Sequence, residues 1–356
     1  MKSPIIENGS ARPAQLAVMG EWELAAHYGN AEAECTAALQ GAALRDATHL
    51  SRIDFKGSDH LEFLHRMTTN DFKNLPLSEG FQAVFPDNRG RIVEAGTFCR
   101  LTDDITRFVG GLEAAQKLPL WLDQYVFAEQ LEWVDRGHDT CMIELYGPQS
   151  FALCNSVLGI AVDPIALYGC RELTNDGCLA RTALGSLPGV CISGEVSDVI
   201  RLADNLLEEG SIPLGEVAFE ALRVQLGAPQ PGSELNEEHN PWEAGLANAV
   251  HLNKGCYIGQ EVIARLDTYD KVKQKLMGLE LTEGELPAAG TVLVTPEGRP
   301  AGQITAAVYS PVLRRNIALA YVRTSAMQPG TCLTVGDGGP NAPEATVADL
   351  PFVASR

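Results

Sequence analysis

From residue 277 onward the chain carries only short apolar runs, at 277–281, 291–294, 304–308, 317–322 and 332–335, each separated from the next by Pro and Gly turns. Runs so brief cannot supply the face of a packed helix, and a succession of them predicts a small all-β domain at the C-terminal end. Ahead of that point helical and strand periodicities alternate, so the whole chain is expected to be α+β. Its 356 residues exceed one ordinary core, and two or three moderate units are expected.

The first 30 residues hold Pro4, Gly9, Pro13, Gly20 and Gly29 with little periodicity and read as a partly irregular arm. A helix is predicted over 31–44. From Ser51 the text Arg-Ile-Asp-Phe alternates as a strand does, and Gly57-Ser58-Asp59 supplies a turn and N-cap before Leu61, Leu64 and Met67 at helical spacing. Segments 81–85 and 91–98 flank the turn Asp87-Asn88-Arg89-Gly90 as a β-hairpin. Strands at 105–109 and 141–145 follow, then helices at 149–158, 196–209 and 214–226, the last closed by Gly227 as C-cap. Residues 228–242, rich in Pro, Gly, Asn and Glu, form a loop long enough to suggest function rather than packing.

Composition narrows the function classes. Lys and Arg total 27 against 46 Asp and Glu, a net charge of −19 that repels phosphate backbones, so nucleic acid is not an expected partner. No apolar run approaches the ~20 residues that span a bilayer, and the first 20 residues lack the apolar core of a secretory signal, so no membrane association and a cytoplasmic location are expected. The nine cysteines are scattered without a C-x-x-C pair and the seven histidines without H-E-x-x-H, so the sequence predicts no metal site and mostly buried thiols.

One segment is distinctive: Lys254-Gly255-Cys256-Tyr257-Ile258-Gly259-Gln260-Glu261-Val262. Two glycines bracketing a Cys-Tyr pair make a turn whose backbone can approach a ligand, and Gln260-Glu261 then opens a short helix. Lys254, two residues from Cys256, would favour the thiolate, the form that ligates metals or attacks disulfides. A tight turn around a structural cysteine is the competing reading of the same residues.

Lys254–Glu261 resembles the K-G-C-[FY]-x-G-Q-E signature of the YgfZ-type folate-binding proteins, relatives of the glycine-cleavage T-protein. The resemblance runs in order through residues 40–335. Asp59 to Asp71, including Thr68-Thr69-Asn70-Asp71, is similar to that family's first helix and T-N-D loop. Asn88 to Ile92 is similar to its hairpin, Tyr146-Gly147-Pro148 to an interior turn, Asn240 to Leu246 to the segment before the signature, and Tyr309-Ser310-Pro311 with Ile317 to Val322 to its barrel.

This resemblance implies a three-domain T-protein-like ring around a central folate channel, with a small C-terminal β-barrel. The implied division is an arm at 1–30, two interleaved α+β domains at 31–270 and the barrel at 271–356. Tetrahydrofolate is the implied ligand. Cys256 is the expected acting residue, and Asn70, Arg223, Gln225, Glu243, Lys254, Tyr257, Gln260 and Glu261 are the expected folate-binding residues. For three of them a local role competes: an Asx turn for Asn70, an ordinary helix position for Gln225, and the first turn of a helix for Glu243.

Two departures separate the chain from the aminomethyltransferase branch. Where that branch reads G-G-I-x-D-D, this chain has Gly90-Arg91-Ile92-Val93-Glu94-Ala95, and alanine cannot handle a proton. Where it reads L-R-x-E-A-G, this chain has Leu222-Arg223-Val224-Gln225-Leu226-Gly227, with a neutral amide in place of a carboxylate. The resulting expectation is a folate-binding protein that supports iron–sulfur cluster synthesis or repair through Cys256, with iron–sulfur client or assembly proteins as partners. The alternative is an enzyme, a tetrahydrofolate-dependent aminomethyltransferase or demethylase, and a third reading is a binding module for another small carboxylate.

Overall fold

The computed structural model describes residues 1–269, 272–337 and 342–352. Two large antiparallel-rich sheets, a two-stranded sheet and a closed barrel make up the described residues, with helices packed on the large sheets. The boundary expected at 270/271 falls outside the described residues.

The first sheet has five strands in the order Gly80–Pro86, Ile92–Arg100, Ile105–Gly110, Ser51–Lys56 and Glu132–Asp135. Its core is aromatic: Phe55, Phe63, Phe72, Phe85, Phe98 and Phe108 are fully or almost fully buried, and Phe72 meets both Phe81 and Phe98 edge-on with centroids 4.8 Å apart. The helix His60–Met67 covers this core with Phe63, Leu64 and Met67. Asp59 precedes that helix as expected but does not cap it; its carboxylate instead accepts the backbone N–H of Gln130 at 2.7 Å and ties down a neighbouring loop.

The second sheet has six strands ordered Cys170–Glu172, Cys178–Leu184, Leu187–Gly194, Cys141–Tyr146, Ala43–Asp46 and Ile212–Leu214, the last pair parallel. The helices Ser150–Leu158 and Val196–Glu208 bury Cys154, Val199, Leu202, Ala203 and Leu206 against it. Gly227 ends the helix Glu216–Leu226 at φ +68°, the left-handed conformation a C-cap glycine adopts without strain.

Six strands close the barrel in the order Gln274–Leu281, Arg315–Arg323, Pro300–Ser310, Val292–Val294, Cys332–Val335 and Glu344–Ala348. Alternation of buried and outward residues fills it with Leu279, Leu293, Ile304, Ala318, Ala320, Val322, Leu333, Ala345 and Val347. The first 30 residues, expected to be irregular, hold a short helix Pro4–Asn8 and a hairpin of Gln15–Met19 with Trp22–His27. The outer strand of that hairpin is largely exposed, so its sequence carries no in-out alternation to read. Among the described residues, no helix is long and apolar enough to cross a membrane.

Candidate functional site

Strand register places a charged pair at the centre. Arg45 and Glu144 face each other across adjacent strands of the six-stranded sheet. Arg45 Nη1 donates to Glu144 at 2.8 Å, its Nε and Nη2 each donate to Glu216 at 2.8 Å, and its guanidinium lies 3.4 Å over the ring of Phe219. Burial opposes the charge on Arg45, but the Glu216 and Glu144 carboxylates outweigh it and hold the guanidinium protonated.

His49 lies in the turn that follows the strand of Arg45 and is buried. Burial first, then the charges of Arg45 and Arg52, push its pKa well below the ordinary histidine value, so the ring is neutral. Arg45 Nη2 lies 3.4 Å from His49 Nε2, and a guanidinium only donates. The imidazole proton therefore sits on Nδ1, which is buried without a hydrogen-bond partner among the described residues.

These groups line a cavity of about 300 Å³ between the two sheets. The five-stranded sheet contributes Gln82, Ala95, Thr97 and Val109; the six-stranded sheet contributes Arg45, Glu144 and Thr182; Phe219 and Arg223 come from the helix, and Pro229, Gln230, Pro231 and Leu235 from the long loop. Glu94 stands behind this wall. Its Oε1 accepts the N–H of Ala95 at 3.0 Å and lies 3.5 Å from where a side chain on Gly111, a lining residue, would start. Burial raises the Glu94 pKa to about 7, which places its proton exchange near neutrality.

The residues singled out from sequence divide. Arg223 lines the cavity; it donates to Glu234 at 3.0 Å and to Glu220 at 2.6 Å through each of two nitrogens. Asn70 stands one step back, its amide donating at 3.0 Å to the carbonyl of the lining residue Gln82. Gln225 turns toward the barrel, where its side-chain oxygen accepts the Ser310 hydroxyl at 2.9 Å and its backbone carbonyl accepts the Phe352 N–H at 2.8 Å. Glu243 accepts the Asn240 N–H at 3.1 Å and Arg91 Nη1 at 3.0 Å, which fastens the loop to the hairpin.

The signature segment lies elsewhere, packed on the helix His60–Met67 and the hairpin turn. The buried Lys254 ammonium donates to the carbonyls of His65, Thr68 and Asn70, at 2.6 and 2.7 Å for the first two, and sits 4.9 Å from the centroid of the Tyr257 ring. Burial pushes the Lys254 pKa down to about 7 and that of Tyr257 up to about 12. The charge of Lys254 is thus engaged by backbone oxygens. Cys256 is exposed, Gln260 half-buried and Glu261 exposed at the start of the helix Gln260–Tyr269.

Sequence reading missed Arg45, His49 and Glu144, because their roles arise from strand pairing between segments far apart in the chain and no local spacing announces it. The proximity of Glu94 to Gly111 is likewise visible only once the sheet is assembled.

Comparison with known proteins adds a family. The GCVT N-terminal domain matches residues 5–254, and the glycine cleavage T-protein C-terminal barrel domain matches residues 274–354. A chloroplastic protein of Arabidopsis thaliana, provisionally named a transferase, is 32% identical over 89% of this chain and 72% of its own length. An aminomethyltransferase of Herpetosiphon aurantiacus is 28% identical over 100% of this chain and 99% of its own. The crystal structure of the glycine cleavage system aminomethyltransferase T from Bartonella henselae shares the fold with a TM-score of 0.88 at 21% identity, covering 100% of this chain and 99% of that one.

Proposed function

Because this chain belongs to the glycine cleavage T-protein family in both its N-terminal domain and its C-terminal barrel, we propose that it is a tetrahydrofolate-dependent one-carbon transferase of the aminomethyltransferase type, with the cavity between the sheets as its pterin site. One observation carries this reading: a cavity wall that sets the Glu144 carboxylate beside the guanidinium groups of Arg45 and Arg223, backed by Glu94, which exchanges its proton near neutral pH. A pterin presents N–H donors and a carbonyl acceptor on one edge, which suits a carboxylate and a guanidinium N–H. The volume of about 300 Å³ is at the small end of ligand pockets and suits the ring system with the glutamate tail outside.

Transfer of a carbon unit between nitrogens needs a group that accepts and returns a proton beside the reacting atoms. Ala95 cannot do this. Glu94 takes the role from the neighbouring position, behind the wall at Gly111, against which the Pro231 side chain also packs. His49 and Arg223 orient the substrate, and Phe219 and Pro231 exclude water around it.

Titration of the protein with tetrahydrofolate, by thermal shift and calorimetry, tests the site, and turnover with the lipoyl carrier of the glycine-cleavage system tests the chemistry. Saturating ligand at ~100 times Kd is expected to stabilise the fold by about 2.7 kcal/mol, and Glu94→Gln is expected to lower turnover by about 10²-fold or more. No stabilisation at millimolar tetrahydrofolate would overturn the cavity as the folate site.

A second reading rests on the exposed thiol of Cys256 in its intact signature turn and on the alanine at position 95. It places the chain in the YgfZ-type branch, as a cytoplasmic folate-binding protein that supports iron–sulfur clusters in client proteins through Cys256. Folate binding without transfer, together with failure of Cys256→Ser to restore iron–sulfur enzyme activity in a deletion strain, would select it. Turnover that survives Cys256→Ser selects the first.

A further inference from the structure

Three cysteines that the sequence keeps apart meet at the seam of the two sheets. Cys99 stands on the strand Ile92–Arg100 of the five-stranded sheet; Cys170 stands on the edge strand of the six-stranded sheet and Cys178 on its antiparallel neighbour. Their Sγ atoms all lie within 4.8 Å of one another, and the three residues are 6%, 1% and 3% exposed. Leu101 and Ala180 pack around them. Three sulfurs at about 2.3 Å from a common ion stand about 4 Å apart, so closing this set onto an ion requires contraction of less than about an ångström.

We propose that Cys99, Cys170 and Cys178 form a three-thiolate site for a soft monovalent cation, Cu(I), that staples the two sheets together. The donor set decides the ion. Soft thiolates select Cu(I), zinc or iron–sulfur clusters, and structural zinc takes four ligands while catalytic zinc takes three and a water. Here the metal-binding group comprises three buried thiols alone, with Leu101 and Ala180 packed against them. Cu(I) is satisfied by three.

The surrounding charge supports the assignment. Arg107 is the cross-strand partner of Cys99 and is itself buried, held by Asp54 at 2.7 and 3.0 Å and donating at 3.3 Å to Ser193, whose strand neighbour is Cys178. Its guanidinium offsets part of the negative charge that three thiolates would bring indoors. On binding, three S–H bonds break, three Cu–S bonds form and three protons leave to solvent; neither copper nor sulfur changes oxidation state. The unit carries a net charge of −2, next to Arg107. None of the three cysteines lines the cavity between the sheets, so this site stands independently of the proposed transferase reaction.

The test is anaerobic titration of the reduced full-length protein with the Cu(I)–bicinchoninate complex, followed by X-ray absorption at the copper edge. One equivalent of copper withdrawn from the chelator, with three sulfur neighbours and no nitrogen or oxygen, is the expected result. Cys178→Ser is expected to lower the copper affinity by more than about 100-fold, beyond the 10–100-fold loss typical of an outer-shell partner, while Cys332→Ser, at an exposed thiol, leaves it unchanged. Should Cys178→Ser fail to fold, the sulfur count in the unmodified protein decides. Failure to withdraw copper, a two-sulfur site, loss of binding in Cys332→Ser, or tighter binding of Zn(II) than of Cu(I) in a matched competition would each overturn the proposal.

Discussion

Gly259 and Asp87 touch backbone to backbone: a Cβ at position 259 would stand 2.3 Å from the Asp87 carbonyl oxygen, and Gly259 adopts φ +75°. The second glycine of the signature therefore exists to let the turn 254–261 press onto the hairpin turn at Asp87–Gly90. Gly245 has the same φ of +75° with nothing within 4 Å of its Cβ position. Gly259→Ala is expected to destabilise the fold by roughly 2–4 kcal/mol and Gly245→Ala by about 1 kcal/mol, since both carry left-handed strain but only the first meets a clash. Urea unfolding of the two variants checks this, and equal losses would show that the clash relaxes without cost.

Lys254 is buried with three carbonyl partners, so its removal should act on stability first. Lys254→Met is expected to cost about 2–3 kcal/mol or more, because the carbonyls of His65, Thr68 and Asn70 lose a charged donor in a place water reaches poorly. Lys254→Arg should not rescue it, since a planar guanidinium cannot reproduce three donors radiating from one nitrogen. An unchanged unfolding midpoint for Lys254→Met would assign the residue a role outside packing.

Glu94 sets a pH dependence. Its folded pKa of about 7 lies above the unfolded value of 4.5, so the native state retains a proton that the unfolded chain releases. The contribution to stability is complete below pH 4.5 and lost as pH rises to about 7. Plotted against pH, the stability of the wild type relative to Glu94→Gln should fall across that window and level off above it. A difference that rises with pH would show that Glu94 is held as a carboxylate.

Thiol reactivity should follow burial. Cys256 and Cys332 are exposed and are expected to alkylate first with iodoacetamide under native conditions. Cys35 and Cys154, whose pKa burial raises to about 12 in each case, should react only on unfolding. Peptide mapping by mass spectrometry gives the order. Cys256→Ser should change stability by less than about 0.5 kcal/mol, as expected for an exposed side chain without packing partners.

Sequence alone determined many of the local elements and the family, although the helix expected over 31–44 ends at Gln40 and gives way to the strand Ala43–Asp46. The helix at 196–209, the hairpin around residues 87–90, the C-cap at Gly227 and five of the barrel strands are written in near-neighbour patterns: apolar spacing, turn residues and a glycine where φ must be positive. The motifs that identify the family lie in contiguous stretches for the same reason. Tertiary structure alone decided what those stretches do. Gln225 lies two residues from Arg223, yet one meets Ser310 of the barrel while the other lines the cavity, because successive positions on a helix point in different directions and only packing says what each meets. Arg45, His49 and Glu144 assemble through strand pairing, and Cys99, Cys170 and Cys178 through the seam between two sheets, contacts between segments whose separation along the chain leaves no periodicity to read.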